Sequence, residues 1–245
     1  MFARKVFAAA LTLLASASAH SGNGVVIIEM YGDSTTLGTQ AGTPTLTTSK
    51  NEPNQLQDLL QSEFGKRVIV INNGVGGAQA YQLLKGEDGR NRPWNDQMKS
   101  SAADFVILNY GLNDQYYGTN PTPGHYSATP ESYADIIGWL TQAARDNGKG
   151  VILQEPNPTC YQPAVGNLQK FVDALRREAK LMNAPLVPQY DYIQSIPEWK
   201  SMLSDCEHPG DKLYGIKAQQ TFNVLAPIVR ARLSERNSVR SDHAH

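Results

Sequence analysis

Apolar residues along the chain follow two alternating patterns. Short runs rich in β-branched residues occur at Val25–Met30, Val68–Ile71, Phe105–Leu108, Val151–Leu153 and Leu186–Val187. Such runs predict strands covered on both faces, as in a parallel sheet. Between them lie helical periodicities. Glu52–Phe64 places Leu56, Leu59, Leu60 and Phe64 on one stripe, with Pro53 in the first turn and Gly65 as a stop. Pro130–Arg145, Val165–Met182 and Ile216–Leu233 read the same way, the third with Leu168, Val172, Leu175 and Leu181 on one stripe. Strand alternating with helix five times predicts a doubly wound parallel sheet between two helical layers. Two polar stretches interrupt the pattern. Gly38–Lys50 is expected to be a loop at the edge of a site, and the Tyr-, Gly- and Pro-rich Gln115–Thr129, which holds His125, a mobile loop at the same edge.

The first residues depart from this pattern. Arg4 and Lys5 precede an apolar run, Val6–Leu14, and small residues with a candidate cleavage site at Ala17-Ser18-Ala19. Residues 1–19 therefore read as a secretory signal peptide, 20–235 as a single domain and 236–245 as a flexible tail. No second stretch is apolar enough to span a membrane, so no integral membrane segment is expected after cleavage. Removing Arg4 and Lys5 from the 22 basic residues leaves 20 against 23 acidic ones, too balanced for a nucleic-acid partner. Arg230, Arg232, Arg236 and Arg240 cluster near the C-terminus and read as cations at a helix end and in a solvated tail. The two cysteines, Cys160 and Cys206, are expected to pair in an exported chain. That disulfide would hold the segment Asp205-Cys206-Glu207-His208.

Chemistry is expected where the strands end. The first strand breaks at Gly32 and is followed by Asp33-Ser34-Thr35-Thr36, which presents a small hydroxyl. A serine nucleophile needs a base, a group orienting the base, and donors for an oxyanion. Five histidines compete for the role of base. His20 falls at the expected mature N-terminus, His243 and His245 in the tail and His125 in a Pro/Gly loop, which leaves His208. Asp205, three positions upstream in a tight turn, can reach back to Nδ1 and leave Nε2 for the serine. Pro209 turns His208 away from continuing a helix. The glycines of Asn72-Asn73-Gly74-Val75-Gly76-Gly77 do not complete a dinucleotide fingerprint, because Gln79 stands where the third glycine belongs, and no phosphate loop follows.

Taken together, Gly32-Asp33-Ser34, the Gly-Gly turn after the second strand, Gly111-x-Asn113-Asp114 after the third and Asp205-x-x-His208 resemble the SGNH (GDSL-type) hydrolase family. The resemblance spans essentially the whole mature chain. It implies a three-layer α/β/α, flavodoxin-like fold of the SGNH hydrolase type with a five-stranded, mainly parallel sheet. It further implies Ser34 as nucleophile, His208 as general base and then acid, Asp205 as its partner, and no cofactor. The implied oxyanion hole comprises the Ser34 N–H, the Gly77 N–H and the Asn113 side chain, with Gly74 and Gly76 crowding the same turn. Asp33 and Asp114 are expected to pin the site loops. Thr35 stands where many members have Leu or Ile. Thr36 occupies the second glycine position of the Gly-x-Ser-x-Gly elbow, which this chain therefore lacks.

The expected function is secreted or periplasmic hydrolysis of carboxylic esters, with short acyl groups such as acetyl on a small molecule or polysaccharide. Tyr110, Tyr116, Tyr117, Tyr126 and Tyr161 offer rings on which sugars or aryl esters would pack. Two alternatives remain open: acyl transfer to a sugar hydroxyl by the same triad, and a non-catalytic carbohydrate-binding protein of the same fold. A metal site built from Asp33, Asp114, Asp205 and His208 lacks compact zinc-type spacing and leaves the serine unexplained.

Overall fold

The computed structural model describes residues 24–42, 45–89, 92–161 and 164–242, excepting the side chains of 164–166 and 239–242. The expected signal peptide lies outside the described residues. Strand β1 (Val26–Gly32) leads into a one-turn helix α1 (Ser34–Leu37) and a small antiparallel hairpin, β2 (Thr39–Gln40) with β3 (Leu46–Thr47). Helix α2 (Glu52–Phe64), strand β4 (Val68–Gly74), α3 (Ala80–Lys85) and α4 (Trp94–Ser100) follow. Next come β5 (Phe105–Asn109), α5 (Leu112–Thr119), α6 (Pro130–Asp146), β6 (Gly150–Gln154) and α7 (Ala164–Leu181). The chain closes with β7 (Leu186–Val187), α8 (Tyr190–Ser195) and α9 (Asp211–Asp242).

Five strands form one parallel sheet in the order β4-β1-β5-β6-β7, with Gly32 level with Gly74 on one side and Asn109 on the other. This is the doubly wound flavodoxin-like order, and the chain reverses its winding direction at β1. The carboxyl ends of β1, β4 and β5 therefore converge at the switch point, where Ser34 begins. Alternation along β5 divides the core into two layers. Val106 and Leu108 join Trp94, Ile137, Leu140 and Leu175 beneath the helices on one face. Phe105 and Ile107 join Leu56, Leu60, Leu225 and Val229 beneath α2 and α9 on the other. Each such side chain contributes about 1.5–3 kcal/mol by leaving water.

Several elements differ from expectation. The Val68–Ile71 run was expected to be buried on both faces, but β4 is an edge strand that leaves Ile69 and Ile71 exposed. Gly38–Lys50 contains the β2–β3 hairpin, and the expected mobile loop begins as helix α5. The rest of that loop is docked: Gln79 receives the N–H of Tyr126 and donates to its carbonyl, while Tyr81 stacks on Tyr126 at 4.3 Å. Helix α9 runs to Asp242, past the helix end expected at Leu233. Among the described residues, no helix is long and apolar enough to cross a membrane.

Candidate active site

Ser34 is the first residue of α1, and the turn that presents it is fixed by its neighbour. The buried Asp33 carboxylate accepts from the Thr35 N–H and the Thr35 hydroxyl, both at 2.8 Å. This N-cap satisfies one of the donors that a helix start leaves unpaired. Burial pushes the Asp33 carboxyl up, while the two Thr35 bonds and the charges of Lys217 and His208 pull it down; burial prevails. Ser34 lies beside the end of β4, because Gly74 packs directly against α1. A Cβ on Gly74 would stand 2.2 Å from the Leu37 backbone nitrogen. Gly74 thus serves close approach.

Gly77 serves a different need. The Ala78 N–H donates to the Val75 carbonyl at 3.2 Å, closing a four-residue turn with Gly77 at its third position and φ +75°. That is the type II turn, whose third residue requires the left-handed region. The Asn113 amide then reaches this turn and donates to the Ala78 carbonyl at 3.1 Å. Asp114 fastens the same two loops from below: one oxygen accepts from the Ala80 N–H and the other from the Gly111 N–H, each at 3.0 Å. Burial raises the Asp114 carboxyl to about 7, against the pull of the Ala80 and Gly111 bonds. Asp33 and Asp114 therefore both hold backbone, as expected of them.

The third loop carries His208. Its Nε2 lies 2.9 Å from Ser34 Oγ, and its Nδ1 lies 2.8 Å from Asp205 Oδ2. The other Asp205 oxygen accepts the backbone N–H of His208 at 2.8 Å and that of Glu207 at 3.2 Å. Burial alone would raise Asp205, but its hydrogen bonds to His208 and Glu207 outweigh that and hold the carboxyl below its ordinary value. Glu207 shifts the other way, pushed up by burial, with the His208 charge opposing. Cys160 and Cys206 are disulfide-bonded, and the Cys206 carbonyl accepts from the Cys160 N–H at 2.9 Å and the Thr159 hydroxyl at 2.8 Å. These restraints hold Cys206 at φ +71°, a left-handed conformation that costs a non-glycine residue about 1–2 kcal/mol. Asp205, His208 and Ser34 thus form one unbroken hydrogen-bonded chain. His125, by contrast, is stacked on Tyr117 at 3.6 Å.

The sequence profile of the GDSL-like Lipase/Acylhydrolase family matches residues 30–216, three-quarters of the chain. The chain belongs to this family. Membership makes it a carboxylic-ester hydrolase. No curated protein matches the chain in sequence. Among solved structures, an acetylxylan esterase from Geobacillus stearothermophilus superposes with a TM-score of 0.65 at 18% identity, over 82% of this chain and 94% of that one. An alpha/beta hydrolase from the metagenome of Lake Arreo, Spain, gives 0.62 at 19% identity over 82% and 95%. A lipase/acylhydrolase from Enterococcus faecalis gives 0.60 at 17% identity over 86% and 97%. At these identities the likeness establishes a shared fold.

Behind the site lies a set of buried charges that the sequence-based expectations do not include. Lys217 and Glu52 are both fully buried and lie 3.3 Å apart. Lys217 also donates to Asn157 Oδ1 at 3.2 Å. Glu155, at the end of β6, accepts from Arg176 at 2.6 Å and from the Tyr190 N–H at 2.9 Å. One signal was present: Lys217 occupies the same stripe of α9 as Leu213, Thr221 and Leu225, all buried. A lysine on an apolar stripe needs a buried partner. Among the described residues, no three acidic, thiol or imidazole side chains converge as a metal ion would require.

Proposed function

We propose that this esterase is exported and hydrolyses short acyl esters, acetyl groups on carbohydrate among them, through Ser34, His208 and Asp205. The continuous chain of 2.8 and 2.9 Å contacts from Asp205 through His208 to Ser34 carries this reading. Ser34 Oγ attacks the ester carbonyl while its proton passes to His208 Nε2. The resulting oxyanion takes hydrogen bonds from the Ser34 N–H, which opens a helix and lacks an intrahelical acceptor, from the Gly77 N–H and from the Asn113 amide. Collapse breaks the bond to the alcohol, which leaves with the proton from His208. Water, deprotonated by His208, then attacks the acyl-Ser34 carbonyl, and collapse of the second tetrahedral intermediate releases the acid as Ser34 Oγ leaves and takes the proton back from His208. Asp205 stays ionised throughout and stabilises the imidazolium, a role its lowered pKa suits.

Two observations support the acyl preference: the Geobacillus protein is named for acetylxylan, and Tyr116 and Tyr161 stand exposed on segments next to Asn113 and Cys160. Export is supported by Arg4, Lys5 and the apolar run after them, together with the disulfide. The test is turnover of p-nitrophenyl esters from acetate to long chains by wild type, Ser34→Ala and His208→Ala. Wild type should favour acetate, and both variants should lose at least a thousandfold in kcat. Undiminished turnover by Ser34→Ala would refute the mechanism.

A further inference from the structure

We propose that Lys217 is a positioning residue for the esterase reaction, acting through Asn157 to hold the peptide unit from which His208 projects. The inference rests on the catalytic reading of His208 given above. Asn157 has no exposed surface and its side chain is fully committed: Oδ1 accepts from Lys217 Nζ at 3.2 Å, and Nδ2 donates to the Glu207 carbonyl at 2.9 Å and the Pro158 carbonyl at 3.2 Å. The Glu207 carbonyl and the His208 N–H belong to one planar peptide unit. Its oxygen is held by Asn157 and its N–H by Asp205, at 2.8 Å. Clamped at both ends, that plane sets the Cα of His208, and hence the 2.9 Å approach of Nε2 to Ser34 Oγ.

Lys217 gives the clamp its orientation. An amide side chain can turn over and exchange oxygen for nitrogen, and its donor and acceptor neighbours together decide which way it faces. The ammonium is the donor on the Oδ1 side, and with it in place Asn157 presents its NH2 to the Glu207 and Pro158 carbonyls. Lys217 is in turn anchored by Glu52, whose Oε1 accepts from Gln154 and Thr221, both at 2.7 Å. The buried charge of Lys217 also acts on Asp33, the cap of the Ser34 turn. A single ammonium beneath the sheet's carboxyl edge thereby bears on both the nucleophile loop and the base loop.

Removing one member of a buried ion pair is strongly destabilising, whereas neutralising both is far milder. The informative variants are therefore Glu52→Gln/Lys217→Met, which leaves neither member of the pair charged, and Asn157→Asp, which keeps the acceptor for Lys217 and removes the donors to Glu207. Two readouts are taken on each: kcat and KM for p-nitrophenyl acetate, and hydrogen exchange of the His208 amide against amides in the middle of α9. Positioning predicts that kcat falls about 10- to 100-fold with KM within about twofold, and that exchange at His208 accelerates while α9 is unchanged. His208 exchange as slow as in wild type in both variants overturns the proposal, whatever the activity. So does wild-type kcat in the double variant. Failure of the catalytic reading itself shows separately, as undiminished turnover by Ser34→Ala, and leaves the exchange measurement decisive for the clamp.

Discussion

Asp114 has no exposed surface, and both its oxygens are occupied by backbone N–H groups from Ala80 and Gly111. It joins the two loops that bring Gly77 and Asn113 together, yet it keeps no contact with solvent. Burial lifts its pKa from 3.8 to about 7. The folded state therefore holds the proton more tightly than the unfolded chain does. Its contribution to stability is fully present below about pH 4 and is lost as pH rises towards and through 7, at up to about 1.4 kcal/mol per pH unit. Melting temperature measured from pH 5 to pH 8 should fall by that component in wild type. Asp114→Asn cannot ionise and should lack it. The same variant sets an NH2 group against one of the two N–H donors, which should lower stability by about 1–3 kcal/mol at pH 5. Equal pH slopes in the two proteins would show that Asp114 does not titrate in this range.

At the scale of elements, the segment from Asp205 to His208 has little regular structure of its own and depends on attachments. The Ser204 N–H donates to the His208 carbonyl at 2.7 Å, and Cys206 is bonded to Cys160 across a separation of 46 residues. Closing a loop of that size stabilises a fold by about 4 kcal/mol on the chain-entropy account. Its local effect should appear first. In a reductant titration, and in Cys160→Ser/Cys206→Ser, esterase turnover should fall under conditions where far-UV circular dichroism is unchanged. Loss of both signals together would assign the disulfide to global stability alone. This element was legible in the sequence because its parts are adjacent: an acid three residues before a histidine, with a cysteine between them. Helices α2, α6 and α7 were legible because each carries a continuous apolar stripe. Helix α5 was not. Its sequence, Leu112-Asn113-Asp114-Gln115-Tyr116-Tyr117-Gly118-Thr119, lacks such a stripe, and its start is stabilised by Asp114, which also holds Ala80 of another element. Glu52 and Asn157 were illegible for a like reason, and the stripe that marks Lys217 as buried does not name its partners, since the bonds that join the three span long stretches of the chain.

The two ends of the sheet do separate work. The loops that carry Ser34, Gly77 and Asn113 occupy the carboxyl ends of β1, β4 and β5, while the opposite ends of β1 and β5 are closed by α9. There the Arg236 guanidinium bonds to the Asp104 carboxylate at 2.5 Å and to the Val25 carbonyl, and Asp104 also accepts the Ile27 N–H at 3.0 Å. Arg230 pairs with Glu63 of α2, and Arg232 lies over the Phe105 ring. Three of the arginines that read in the sequence as a solvated basic end thus fasten the last helix to β1, α2 and β5. Charge alone could not reveal this, because their partners lie beside β1, α2 and β5. The division predicts that stability and catalysis separate. Arg236→Ala leaves Asp104 partly buried without its cation, and should lower unfolding free energy by about 2 kcal/mol. Because this contact lies at the end of the sheet remote from Ser34, kcat and KM at 25 °C should match wild type. Thermal melts and p-nitrophenyl acetate kinetics on the same preparation check both halves. A fall in kcat without a fall in melting temperature would mean that α9 transmits this contact along its length to Lys217, and that the two ends of the sheet are coupled.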